Sequence, residues 1–315
     1  MDPLFPSTNR PLYGACDWCK LLLFFRVAVS SSPGMARESI LMDMRQKIFA
    51  ILTEAEFFLK VAISCTLVQQ VFFRVLGSEP LSFMHQAILL WLTGSLSFYG
   101  FGFGIERLIK GNPALTEKLR AREASVKKQV FPAFTLKGIV LGEIKSLTTA
   151  CIILYLAPEV QRGNDLWDNL LWFLLSIVVA DFCFYVCHWL LHRKPLLRFH
   201  LKHHEFQDTS SFVAGHKGWL ESIITTITDL LPIFIFGYDI SQLIAWILVG
   251  TAYNLEGHSS LSLFFIPSDF HDLHHTDFRG NYGIQGLWDK VFRTLNAPKY
   301  QQRIVFPAAY LNPDS

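Results

Sequence analysis

Residues 166–205 read LWDNLLWFLLSIVVADFCFYVCHWLLHRKPLLRFHLKHHE. From Leu166 to Cys187 only Asp168 and Asp181 carry charge, and the stretch is long enough for a helix to cross a hydrocarbon layer. From His188 onward the composition changes to histidine and base: His188, His192, Arg193, Lys194, Arg198, His200, Lys202, His203 and His204. A spanning segment that ends in clustered imidazoles predicts a membrane domain whose chemistry lies at the membrane edge.

The rest of the chain fits that reading. Apolar residues make up 51% and charged residues 17%, a balance unlike that of a soluble enzyme. Further spanning segments are expected at Phe57–Leu76, with Lys60 and Arg74 near its ends, at Leu81–Gly104, and at Gly138–Leu156, which holds Glu143 and Lys145. Ile223–Phe236 and Leu243–Tyr253 flank Gly237-Tyr238-Asp239 as an apolar hairpin. Each arm is short for a full crossing, so the apolar runs leave two readings, a spanning hairpin and a shallow or re-entrant one. The fold class is therefore all-α: an integral membrane domain of about four spanning helices plus the hairpin, with a helical cytosolic cap. By region, residues 1–40 read as a variable extension, 41–165 as transmembrane helices and a basic loop, 166–295 as the catalytic domain and 296–315 as a tail. Cys16 and Cys19 form a lone CxxC with no second pair, and no disulfide framework is expected.

Charge sets the expected orientation. Arg107, Lys110, Lys118, Arg120, Arg122, Lys127, Lys128 and Lys137 lie between the second and third segments. Arg193, Lys194, Arg198 and Lys202 follow two crossings later. Both clusters fall on one side, and positive loops stay in the cytosol. The net charge of +2, with no basic arm, gives no footprint for a nucleic acid.

Ten of the eleven histidines lie between His188 and His275. His188 and His192 are spaced i, i+4, and His200, His203 and His204, like His271, His274 and His275, are spaced i, i+3, i+4. Such spacings place imidazoles on one helical face. His258 follows the hairpin on the same side, and His216 is a further candidate ligand; His85, inside the second segment, reads as structural. Eight to ten imidazoles exceed the needs of one zinc site and suit two ions with four or five ligands each. Iron is preferred because O2 chemistry needs a redox metal, which zinc is not. Ligating histidines usually donate their other N–H to a carboxylate or carbonyl. Asp181, seven residues before His188, and Glu256 are candidates for that role, with Glu205, Glu221, Asp272 and Asp277 behind them.

These residues resemble the fatty acid hydroxylase/sterol desaturase superfamily of membrane histidine-box proteins. The resemblance covers about Leu166 to Thr294. It rests on Asp181 ahead of the first box, on Glu205 after the second, on Glu256-Gly257-His258-Ser259, and on Phe270 through His275 followed by Phe278, Gly280-Asn281-Tyr282-Gly283 and Trp288-Asp289. The ending looks most like the C-4 methylsterol oxidases and the fatty-acid-hydroxylase-domain proteins. Where the family often has His-Pro-x-Glu after the second box, this chain has His216-Lys-Gly-Trp-Leu-Glu221, without the proline. The resemblance implies two iron ions held by the box histidines, O2 as co-substrate and a lipid, a sterol first, as substrate. It also implies residence in the endoplasmic reticulum membrane, with electrons from NAD(P)H through cytochrome b5 and its reductase. No His-Pro-Gly-Gly segment occurs, so a separate donor protein is expected. The rival readings are a lipid desaturase, a sphingoid or fatty acid hydroxylase, and a non-catalytic metal- or lipid-binding membrane protein.

Overall fold

The computed structural model describes residues 35–77, 80–112, 136–160, 163–205, 210–259, 261, 263–265 and 268–296. The CxxC pair, the basic residues from Lys118 to Lys128 and the tail beyond Asn296 lie outside them. The chain divides into two compact units, Met1–Thr53 and Glu54–Ser315, and the site lies in the second.

Among the described residues the secondary structure is helical. The long helices are α1 (Met35–Leu76), α2 (Phe83–Gly111), α3 (Leu136–Leu156), α4 (Leu166–Leu191), α6 (Trp219–Phe236) and α7 (Ile240–Gly257). Shorter pieces are α5 (Leu197–His200), α8 (Ser268–Asp277), α9 (Leu287–Phe292) and 3-10 turns at His203–Glu205 and Ser211–Gly215. Five stretches are long and apolar enough to cross a membrane: Ala55–Leu76, Phe83–Ile109, α3, α4 and α6.

Their outward faces are those of a protein in lipid. Leu59, Ile63, Leu67, Val71 and Val75, four residues apart on α1, are 45% to 73% exposed. Water would penalise such a stripe, whereas hydrocarbon does not. The polar side chains turn inward instead. Gln242 Nε2 donates to Asn169 Oδ1 (2.7 Å), and Gln69 Nε2 to Ser241 Oγ (3.1 Å), all four residues being buried. Glu143 and Lys145, the charges in the middle of α3, are also partnered. Glu143 accepts from Trp91 Nε1 (2.7 Å) and Ser95 Oγ (2.5 Å), and Lys145 donates to Ser222 Oγ (3.0 Å).

Polar residues set the helix starts. Asp165 accepts from the N–H groups of Trp167 and Asp168 at the head of α4. Asp239 and Gln242 form a capping box at the head of α7. Ser82 caps α2 and bonds His85 Nδ1 at 2.7 Å, so His85 is a helix-start residue.

The hairpin is longer than its apolar runs. Each arm is an 18-residue helix, because the helices continue through polar residues at Glu221–Ser222 and Asn254–Glu256 beyond the apolar core. Its tip reaches the turn between α3 and α4: Val160 N–H donates to the Tyr238 carbonyl (2.8 Å), and Tyr238 N–H to that of Pro158 (3.1 Å). Gln86, near the start of α2, bonds Glu159 in the same turn. The hairpin therefore runs the full height of the bundle rather than lying shallow. At the other end Glu106 accepts from Ser211 N–H, and Lys60 donates to the Phe264 carbonyl. All the histidine boxes lie at this second end.

Candidate metal centre

Five elements deliver the imidazoles. The last turn of α4 carries His188 and its C-cap is His192. The second box divides between α5, which ends at His200, and the 3-10 turn that begins at His203, so it does not lie on one continuous helical face. His258 is the C-cap of α7, and α8 carries the third box. On an α-helix, positions i+3 and i+4 fall on opposite flanks of i, about 100° apart. The i+3 histidine of α8 accordingly leaves its neighbours for another cluster.

The result is two adjoining clusters. His188, His192, His200, His204 and His274 form one; His203, His258, His271 and His275 form the other, and within each the candidate ligand atoms all lie within 4.8 Å of one another. In the first, Nε2–Nε2 separations are 3.1 Å for His188–His200, 2.9 Å for His200–His204, and 3.1 Å for both His204–His274 and His192–His274. In the second they are 3.4 Å for His203–His258, 3.0 Å for His258–His271 and 3.2 Å for His271–His275. The His204 and His275 ring centroids, one from each cluster, are 4.6 Å apart.

The donor set fits metal ions. His188 Nδ1 donates to the Tyr282 carbonyl (2.7 Å), His274 Nδ1 to that of Gly280 (2.8 Å) and His258 Nδ1 to that of Asn254 (2.8 Å). His200 Nδ1 bonds Glu221 Oε1 at 2.9 Å. Carbonyl and carboxylate oxygens accept, so these four rings hold their proton on Nδ1. Their Nε2 atoms are then bare, and those of His188 and His200 face each other with lone pairs only. A shared cation relieves that repulsion. Metal–nitrogen bonds of about 2.1 Å put neighbouring ligand atoms about 3.0 Å apart in an octahedral set and about 3.4 Å in a tetrahedral one. The observed separations fall on that range.

Burial keeps the rings neutral, which is the ligating form. It pushes His192 and His200 down to about 2, His258 to about 3 and His274 to about 4, and nearby imidazoles or cations add to the shift in the first three. His203, His204 and His271 are held well below the ordinary value, first by burial and then by neighbouring histidines.

Carboxylates brace the clusters at different removes. Glu221, one of the further candidate carboxylates, acts directly on His200, a pairing across 21 residues that the spacing did not reveal. Asp181 is buried and accepts from Ile284 N–H (3.0 Å), pinning the loop whose Tyr282 carbonyl holds His188. Asp289 grips the same loop through Tyr282 N–H (2.8 Å), Gly283 N–H (2.7 Å) and Thr294 Oγ1 (2.6 Å). The Gly280–Gly283 and Trp288-Asp289 motifs were the sequence signal for Asp289. Glu256 Oε1 accepts from the N–H groups of Leu263, Phe264 and Phe265, so it orders the turn after His258. Asp277 accepts from Asn296 Nδ2, and Asp272 is buried on α8. His216 stands apart from both clusters, its Nε2 on exposed Glu205 at 2.9 Å. The structure thus brings nine of the ten candidate ligands together and leaves His216 outside.

A cavity of about 350 Å³ opens from the second cluster into the bundle. His258 and His271 form one end, and α2, α3, α6 and α7 supply its walls, with Leu90, Ile153, Leu230 and Trp246 farther along.

Comparison with known proteins bears on this same region. Residues 173–294 match the family model for fatty acid hydroxylase. Methylsterol monooxygenase 1 of Gallus gallus is 30% identical over 128 residues, 37% of this chain and 43% of that protein. Its counterpart in Rattus norvegicus is 29% identical over 128 residues, 37% of this chain and 44% of that protein. Fatty acid hydroxylase domain-containing protein 2 of Homo sapiens is 28% identical over 133 residues, 39% of each chain. The match spans about two-fifths of the length of these relatives. No solved structure matches the chain. The matched segment contains all nine clustered histidines together with Asp181, Glu221, Glu256 and Asp289, so residues 173–294 are the part of this chain that is similar to fatty acid hydroxylases.

Proposed function

We propose that this chain is a membrane-bound di-iron oxygenase that inserts oxygen into a C–H bond of a lipid, a sterol-class lipid first. The observation that carries the reading is the pair of imidazole clusters whose Nε2 atoms converge while their Nδ1 protons point outward. Iron held there would supply the redox chemistry with O2 that side chains lack. The two sets of residues would be His188, His192, His200, His204 and His274 for one ion, and His203, His258, His271 and His275 for the other.

The protein's own part is positioning and exclusion. The Tyr282, Gly280 and Asn254 carbonyls and the Glu221 carboxylate fix the ring tautomers before any metal arrives. The apolar cavity brings a lipid C–H to the His258–His271 side and keeps water from it. The exposed apolar helix faces leave the substrate a route from the bilayer. Electrons would come from NAD(P)H through a separate donor, cytochrome b5 with its reductase, on the cytosolic face of the endoplasmic reticulum.

The test is full-length protein purified in detergent, loaded with ferrous iron and supplied with a reductase system, O2 and a sterol and fatty acid panel. The reading expects two irons per chain and a product one oxygen heavier than its substrate. A product lighter by two hydrogens would make the protein a desaturase. Stable zinc in both clusters, with no O2 uptake after iron loading, would overturn the oxygenase reading.

A further inference from the structure

The oxygenase reading leaves the acidic side chain of the cavity without a role. Asp229 lies in the middle of α6, inside a span long and apolar enough to cross the membrane, and its side chain lines the cavity. An intramembrane carboxylate is costly and marks a site that uses it. Its backbone carbonyl accepts from Trp246 Nε1 (2.9 Å), but among the described residues nothing donates to its carboxylate. Lys145, the cation on the neighbouring wall, is engaged elsewhere. Its Nζ donates to Ser222 Oγ, seven residues nearer the metal end, and lies 6.0 Å from the Trp219 ring. Asp229 is thus an acceptor facing a mainly apolar chamber, whose other charged walls are Lys145 and Lys217 nearer the metal end.

Its distance from the metal end can be read from two helices. On α6, Asp229 is eight residues beyond Glu221, which holds His200. On α7, Trp246, bonded to Asp229, is eight residues before Asn254, whose carbonyl holds His258. Eight residues rise about 12 Å along a helix axis. Both walls therefore place the carboxylate about 12 Å from the level of the clusters.

The geometry points to Asp229 as the anchor for a hydroxyl group of the substrate, with the oxidised carbon at the opposite end of the lipid. This inference rests on the oxygenase reading for the oxidised end and stands without it for the docked end. A hydroxyl fits where other head groups do not. A fatty acid carboxylate would be repelled by Asp229. An ammonium head would have to enter a cavity whose other charged walls, Lys145 and Lys217, are cationic. An alcohol donates one hydrogen bond and brings no charge into the bilayer interior. The fixed span excludes oxidation at a carbon next to the alcohol while that alcohol sits on Asp229.

Binding is measured on metal-free full-length protein, so that docking is read apart from turnover. The probes are radiolabelled cholesterol, its 3-O-methyl ether, a long-chain 1-alkanol with its methyl ether, and the matching fatty acid. The wild type is expected to bind at least one alcohol about tenfold more tightly than its ether. Asp229→Leu should bring alcohol and ether within about twofold, with ether affinity unchanged, whereas Asp229→Asn, which still accepts, should keep most of the preference. In iron-loaded protein, mass spectrometry should place new oxygen far from the alcohol carbon. Equal binding of alcohol and ether, tighter binding of the fatty acid, binding of no alcohol, or oxidation beside the alcohol would each overturn the inference. Alcohol docking that depends on Asp229 but yields no oxygenated product would sustain this inference and sink the oxygenase reading.

Discussion

At the scale of single residues the site is an arrangement of ring nitrogens and of the groups behind them. Glu221 is the sharpest example, because its carboxylate is what turns His200 Nε2 inward. Removing such an outer partner weakens metal binding by about 10- to 100-fold in comparable sites. Glu221→Ala should therefore lose iron from the five-histidine cluster by about that factor, with helical content by circular dichroism unchanged. Iron content equal to wild type would show that the bond is incidental. The same nitrogens set a pH dependence. Their folded-state values lie below the ordinary 6.5, so the unfolded chain takes up protons first as pH falls. Their contribution to stability is whole above about 6.5 and is lost as pH drops toward the folded values, about 4 for His274 and about 3 for His258. The melting temperature of metal-free protein should be flat above about pH 7 and decline steadily below about pH 6.5. A flat profile down to about pH 5 would contradict the buried, neutral imidazoles. Much of this was legible from spacing alone, since histidines at i, i+3 and i+4 project from one side of a helix, but the spacing did not say which cluster each would join. The separation of His216 was not legible, because the contact that holds it is with Glu205, eleven residues earlier and on another 3-10 turn.

Between the helices, one irregular loop does as much as any of them. Residues 278–286 turn through positive φ at Phe278, Gly280, Asn281 and Gly286, which points the Gly280 and Tyr282 carbonyls at His274 and His188. Asp181 from α4 and Asp289 from α9 clamp that loop through its N–H groups. Gly280 cannot be replaced cheaply: its φ is +69°, and a Cβ there would run into the Thr294 carbonyl oxygen. Gly280→Ala is expected to cost about 1–3 kcal/mol and to shift the carbonyl that holds His274. Thermal unfolding in detergent and iron retention should fall together, and loss of neither would show that the loop tolerates the change. The sequence signalled this element only as a motif, Gly280-Asn281-Tyr282-Gly283, with no periodicity to say what it braces. The hairpin shows the opposite limit. Apolar run length under-read it, because α6 and α7 extend through Glu221 and Asn254, polar residues retained for the clusters they serve.

Across the whole membrane unit the two ends differ in charge as well as in chemistry. Glu159, Asp165, Asp168 and Asp239 lie at the end where the turns between α3 and α4 and between α6 and α7 meet. Arg193, Lys194, Arg198 and Lys202 lie beside the histidines. Positive loops are retained on the cytosolic side, so the clusters should face the cytosol and a soluble electron-donor domain there. Impermeant thiol labelling of sealed microsomes, whose outer face is cytosolic, tests this in a variant stripped of its own cysteines. Lys202 is exposed beside the second box, and Pro80 is exposed in the turn between α1 and α2. Lys202→Cys should react in intact vesicles, whereas Pro80→Cys should react only after detergent opens them. The reverse pattern would place the imidazoles in the lumen, away from cytosolic NAD(P)H. Both sites labelling in intact vesicles would mean that the intervening helices do not cross. The opposed result is expected because α2, α3 and α4 each run from one end of the bundle to the other, an odd number of crossings between Pro80 and Lys202.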